Sequence, residues 1–400
     1  MKHFFRKALI WLAQITAILI VLLIIFYAEE DWRGAHDWDA CQKELQTKGE
    51  TLDLQQLAPA GKPESDLTKV PIFAELLQND YTKARLYKFY YYGPYLKKPG
   101  NQDLLPPSAN WTEGKPINLA SWQQYYRSSP ESGLPQQPGS PAQDVMAVLS
   151  QFDPEVAEID SALHNPESSW PSDCVIPCPP FKMDRLEGFI RVLDTYQVAG
   201  QVLQTQGVAH LENGESVKAE QDFLFIQRLA QSLLRAPGVV NGVMASNVQQ
   251  RGEELLWEGI RRHAWRDAQL KDMETSMDSV DFLKNCREAL RFDRGGEIQC
   301  LSFVEQKQPI PVPYPYGEKY KWDEMMLFIN FAPKGRIDQA KSYFCRELQK
   351  RIDSIDLNRG VFDAALFAED KKFLMVPFLD VQGLRYSGHQ LVWCSSKECS

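Results

Sequence analysis

Residues 8–28 form an unbroken run of 21 residues in which only Gln14 and Thr16 interrupt the apolar pattern. At about 1.5 Å of rise per helical residue, such a run crosses the roughly 30 Å hydrocarbon layer of a bilayer. It lacks the polar stripe that a helix on a soluble domain would present to water. Lys2, Arg6 and Lys7 precede the run, and Glu29, Glu30 and Asp31 follow it. Because basic flanks stay on the cytoplasmic side, the expected topology is a single-pass membrane anchor with a cytoplasmic N-terminus and an extracytoplasmic C-terminal domain. A cleaved signal peptide is the competing reading. Its cleavage site would follow Ala28, where Phe26 occupies a position that wants a small side chain, and the apolar stretch exceeds the usual length of about 7–15 residues.

The net charge of −9 becomes −12 once the three N-terminal cations are set aside. That balance disfavours nucleic acid and anionic headgroups as partners of the body. The expected partners are the lipid bilayer, through residues 8–28, and a protein at the helical region. Hydrophobic residues make up 44% and charged residues 24% of the chain, which is enough apolar material for a core.

In an oxidising compartment the eight cysteines permit disulfides. Cys174 and Cys178 are close enough to pair locally, and so are Cys394 and Cys399, which makes these four the candidate disulfide residues. The C-x3-C and C-x4-C spacings, the first crowded by Pro177, Pro179 and Pro180, depart from the tight pairs of zinc sites. No metal and no cofactor is expected. Cys286 falls on an apolar helical face and reads as a buried thiol.

The texture of the chain divides it into 1–28, a cytoplasmic tip and transmembrane anchor; 29–49, a juxtamembrane helix; 50–180, an irregular region rich in proline and tyrosine; 181–306, a helical bundle; and 307–400, a proline-rich connector and C-terminal region. Residues 31–49 continue the helix out of the bilayer, with Trp32 and Trp38 near the interface that indole rings prefer and Gly49 as a stop. The aromatic run 87–95 (YKFYYYGPY) suits an edge strand or a surface band. Prolines in 128–141 and 166–180 make these segments linkers or surface-hugging loops. Between them, Val145, Val148, Leu149, Phe152, Val156, Ile159 and Leu163 have helical spacing broken at Pro154.

From residue 186 the organisation is clearest. Leu186, Phe189, Leu193, Tyr196, Gly200, Leu203 and Gly207 step by three and four along one helix face. The two seam glycines, each costing about 1 kcal/mol in a helix interior, point to close packing by a neighbouring backbone. The helix should end at the Glu212-Asn213-Gly214 turn. A second helix, with Ala219, Phe223, Ile226, Ala230 and Leu233 on its seam, runs to Pro237 and completes an antiparallel hairpin. A third covers 239–262 with Val240, Met244, Val248, Leu255 and Gly259, its seam interrupted by Arg251. Shorter helices are expected at 267–279 and 281–292, and an amphipathic one at 337–352. The stretch 309–315 (PIPVPYP) should be extended and polyproline-like. Residues 325–331 suit a strand or short buried helix, and 373–393 form an apolar, aromatic tail.

The segments NGESVKAEQDFLFIQRLAQSL, GEELLWEGI and WRDAQLKDME within 212–290, together with EEDWRGAHDWDACQKELQTKGETLDL after the membrane, resemble a family of uncharacterised bacterial single-pass, membrane-anchored helical proteins. The resemblance covers about a third of the chain and implies an anchored, helical protein. It implies no activity and no site residues.

Several constellations resemble chemistry. Residues 335–342 (GRIDQAKS) place Gly335, Lys341 and Ser342 at phosphate-loop offsets, but Ala340 stands where the second glycine belongs, so a helix start is the better reading. Asp37 and Asp39, with His36 between Trp32 and Trp38, form an acidic and aromatic cluster whose two carboxylates point to different helix faces. His164, His210, His263 and His389 have no second histidine at metal spacing. No G-x-S-x-G elbow occurs. Asn110-Trp111-Thr112 fits a glycan acceptor.

These readings lead to a mainly α fold: an N-terminal transmembrane helix followed by an α-helical hairpin or bundle ectodomain with proline-rich irregular segments. The expected function is an interaction or envelope-structural role without identified chemistry, leaning away from an enzyme. The alternative is an extracytoplasmic hydrolase whose catalytic carboxylates leave no trace in spacing.

Overall fold

The computed structural model describes residues 2–58, 66–78, 85–86, 109–128, 132–165, 168–170, 183–306 and 332–363. The aromatic run 87–95, the segments 309–315, 325–331 and 373–393, and the four candidate disulfide residues Cys174, Cys178, Cys394 and Cys399 lie outside them.

The protein is mainly helical. Helix α1 (Lys2–Thr47) runs 46 residues without a break, so the apolar run and the juxtamembrane segment are one rod. It is long and apolar enough to cross a membrane. Leu9, Trp11 and Leu22 keep 67%, 68% and 56% of their surface exposed, and the other large apolar residues of 9–26 are similarly bare. The rod stops before Gly49, whose φ of +69° is open to glycine at little cost.

A first group of helices surrounds one large apolar core. It contains α3 (Pro71–Leu76), α4 (Leu119–Arg127), α5 (Pro141–Leu149), α6 (Asp153–Leu163), α7 (Met183–Glu212), α8 (Ser216–Leu234), α9 (Val239–Arg261) and α10 (Asp267–Asp278). Helices α7 and α8 form the expected hairpin, and α9 packs against both. Phe223, Ile226, Ala230 and Leu233 of the α8 seam are fully buried. Gly207 on α7 is expected to meet a neighbouring backbone, but what fills the space is the Leu255 side chain of α9; a β-carbon at residue 207 would lie 2.6 Å from a Leu255 methyl. Val240, assigned to the α9 seam, is exposed in the first turn of that helix.

Local signals explain the smaller elements. Ser140 and Gln143 form a reciprocal capping box, and Pro141 occupies the first turn of α5. Pro154 opens α6, which accounts for the break in the apolar spacing. Asp144, almost fully buried, ties α5 to α4 through Arg127 at 2.6 Å. The proline-rich segment after α6 does more than follow the surface, because Trp170 is 2% exposed and packs edge-on against Phe73 at 5.1 Å and Phe189 at 5.4 Å.

A second group joins the outer half of α1 to α2 (Leu54–Leu57), α11 (Phe282–Glu305) and α12 (Lys334–Asp353) through small apolar clusters. Helix α11 is longer than the spacing predicts. It continues past Phe292 through Gly295, which lies against Leu52 and Leu54, so tertiary packing outweighs the local cost of glycine. A short antiparallel pair, β1 (Ile355–Asp356) and β2 (Val361–Phe362), follows α12.

Candidate functional site: the α1–α12 helix clamp

Where α1 leaves its apolar segment it is gripped by a helix some 300 residues away in sequence. The first contact is backbone on backbone: a β-carbon on Gly34 would overlap the backbone of Gly335, and one on Gly335 would overlap that of Glu30. Only two glycines allow helices this close. Asp31 Oδ1 accepts the Gly335 N–H at 2.8 Å, satisfying an orphan donor at the start of α12.

A ladder of polar contacts continues along the seam. Glu30, nearly inaccessible, meets Arg336 Nε at 2.8 Å, accepts from Gln339 Nε2 at 3.1 Å and pairs with Arg33 on its own helix. Burial pushes the Glu30 carboxyl up, but the hydrogen bonds from Arg33 and Gln339 and the charge of Arg336 outweigh it and hold the group below its ordinary value. Further out, Arg346 bridges Asp37 at 2.7 Å and Glu44 at 3.2 Å, and those bonds raise its own pKa. Lys48 reaches Asp353 at 2.5 Å. Between these rungs Cys41, Leu45, Ile298 and Cys345 form a small apolar cluster with Trp38 and Leu52 at its margin.

Behind the seam lies a buried ionic knot. Arg294 of α11 is fully buried and donates to Glu50 Oε2 at 2.8 Å, to the Thr51 carbonyl at 3.1 Å and to Gln349 of α12. Glu50 also holds Arg291 at 2.6 Å. Burial alone would raise the Glu50 carboxyl; its hydrogen bonds from Arg291 and Arg294 lower it on balance. The knot therefore fastens the turn after α1 to both α11 and α12.

The residues that resembled a phosphate loop are part of this clamp. Gly335 is the close-approach glycine, Lys341 is buried and bonded to Glu305 and Asp338, and the Ser342 hydroxyl donates to the Asp338 carbonyl at 3.1 Å. Gly335 and Lys341 join α12 to its neighbours, and the Ser342 hydroxyl is spent within its own helix. The acidic and aromatic cluster divides as its spacing implied: Asp37 faces Arg346, Asp39 faces solvent, and His36 stacks on exposed Trp32 with ring centroids 5.6 Å apart. Asn110 turns its side chain inward to accept from the Thr112 amide at 3.0 Å. His389 lies outside the described residues.

A second polar cluster sits where α6, α7 and α8 meet. His210 Nδ1 lies 2.8 Å from Glu215 Oε2, and its Nε2 lies 3.8 Å from Asp222 Oδ2. Burial, with Asp153 nearby, raises the Asp222 carboxyl well above its ordinary value. Sequence reasoning treated His210 as a scattered histidine, because its two carboxylate neighbours come from the next turn and the next helix. Among the described residues no group of three or more His, Cys, Asp or Glu side chains could hold a metal ion. On α11, burial raises Asp293 to about 7 and Glu297 to about 7, although Asp293 caps α9 by accepting the Val239 amide at 3.2 Å. Cys300 of the same helix is disulfide-bonded, with its partner outside the described residues.

No protein-family model, no curated protein and no solved structure matches the chain.

Proposed function

We propose that the chain is a single-pass membrane protein whose helical body stands outside the cytoplasm in an interaction or envelope-structural role. The observation that carries this reading is α1 itself: a bare apolar surface over residues 9–26, basic residues before it, acidic residues after it, and a continuous helix that leads into the clamp. The polar residues of the clamp are committed to holding the body on its stalk, which suits a structural element better than a turnover site. Residues 8–28 would contact lipid, and the face offered to a protein partner would belong to the helical group around α7, α8 and α9. The test is alkaline phosphatase fused after residue 363, together with protease added to sealed cells. Active phosphatase and a digested body support the reading; an inactive fusion and a protected body overturn it.

The second reading is an extracytoplasmic hydrolase, favoured by one cluster. Asp222, whose carboxyl burial raises well above its ordinary value, stands beside an imidazole that also meets the Glu215 carboxylate, which is the kind of pairing that general acid and base catalysis uses. An Asp222→Asn variant that folds normally and loses a hydrolytic activity found by substrate screening would move the assignment to this reading.

A further inference from the structure

Cys41 and Cys345 sit at the centre of the clamp, 304 positions apart in sequence. Both are reduced thiols, 1% and 0% exposed, and they share one small apolar cluster with Leu45 and Ile298. Cys41 comes from α1 and Cys345 from α12, the two helices brought together by Gly34 and Gly335. The Cys41 sulfur lies 4.0 Å from the Ser342 carbonyl, one helical turn before Cys345 on α12. A thiol pair in an apolar cluster contributes little that two alanines or valines would not. Its placement across the interface between α1 and α12 is what calls for a role.

We propose that Cys41 and Cys345 close into a disulfide that locks α12 onto the membrane-emergent helix. The proposal rests on the extracytoplasmic placement proposed above, since such bonds persist in oxidising compartments. Two buried cysteines in one small cluster, on helices that approach backbone to backbone, are placed to form a bond of about 2.05 Å between their sulfurs. The oxidant is a disulfide carried by a thiol–disulfide oxidoreductase or a small-molecule disulfide. One cysteine, as thiolate, attacks a sulfur of the oxidant and releases its partner sulfur as a thiol. The second cysteine, as thiolate, then displaces the remaining oxidant sulfur. The two cysteines lose two protons and two electrons, and the oxidant's two sulfurs gain them. Because both thiols are buried in the folded protein, the exchange takes place as the chain folds.

Trypsin provides a direct readout, because it releases residues 34–43 with Cys41 and residues 342–346 with Cys345. Membranes are treated with N-ethylmaleimide under denaturing conditions, digested without reductant and analysed by mass spectrometry. The expected result is the linked pair of peptides, which reductant separates, and its disappearance in Cys41→Ser with alkylated 342–346 appearing in its place. If the phosphatase fusion reports an external body and both peptides are recovered alkylated and unlinked, the disulfide is overturned and the topology stands. If the fusion reports a cytoplasmic body, the topology fails, and the pair is judged by refolding the reduced full-length chain into detergent with a glutathione redox buffer. The linked peptides forming there uphold the pairing; two alkylated peptides overturn it.

Discussion

Arg294 has no exposed surface, so the charge it carries depends on what the chain places around it. Removing one partner of a buried ion pair leaves the other charge uncompensated, typically at about 3–5 kcal/mol. Glu50→Gln should therefore lower stability by about that amount, read as a drop in the unfolding midpoint of the detergent-solubilised protein. Replacing the pair together, Glu50→Leu with Arg294→Met, should cost less than Glu50→Gln alone, because no stranded charge remains. Asp293 and Glu297 give a pH signature of the opposite kind. Their folded-state values, each raised to about 7, lie above those of the unfolded chain, so the native state holds protons that the unfolded state has released. Their contribution is fully present below about pH 4 and is lost as pH rises through about 7. Thermal midpoints measured across that range should fall, and Asp293→Asn should flatten the slope. The depressed carboxyls Glu30 and Glu50 act in the other direction: their stabilisation is present above the ordinary carboxylate range and disappears in stronger acid.

Helices whose evidence is local were legible in the sequence. The α7–α8 hairpin and α9 follow from three- and four-residue spacing, and Phe223, Ile226, Ala230 and Leu233 are buried where that spacing places them. The junction between α1 and α12 was not legible. Gly34 resembles any glycine in a polar stretch, and Gly335 seemed to belong to a failed phosphate loop; each acquires its meaning from the other, about 300 residues distant. Trp170 was missed for a similar reason, since proline-rich sequence tells of absent helix but not of a single aromatic anchor entering the core. Substituting Gly34 by leucine should force α12 away from α1, with overpacking on the order of 1–3 kcal/mol or more, seen as accelerated amide exchange across Lys334–Asp353 while α7 and α8 keep their protection. Leu255→Ala, which empties the pocket over Gly207, should instead destabilise the main core by about 2–5 kcal/mol.

The whole molecule divides by surface chemistry. Among the described residues, most exposed large apolar side chains fall within 9–26, with fewer, such as Trp111, Val217 and Ile260, on the body beyond. A chain starting at residue 29 should accordingly remain soluble without detergent and elute as a discrete species on size exclusion, whereas the full chain should need detergent. The unbroken helix from Lys2 to Thr47 has a mechanical corollary. Its outer half, about 28 Å long at 1.5 Å per residue, is splinted by α12 rather than hinged, so in the anchored arrangement proposed above the rod would act as a lever with its fulcrum in the lipid. A bilayer whose thickness made the apolar segment lean would then swing the helices fastened to the rod by the same angle, turning a change in membrane thickness into a lateral sweep of what the rod carries.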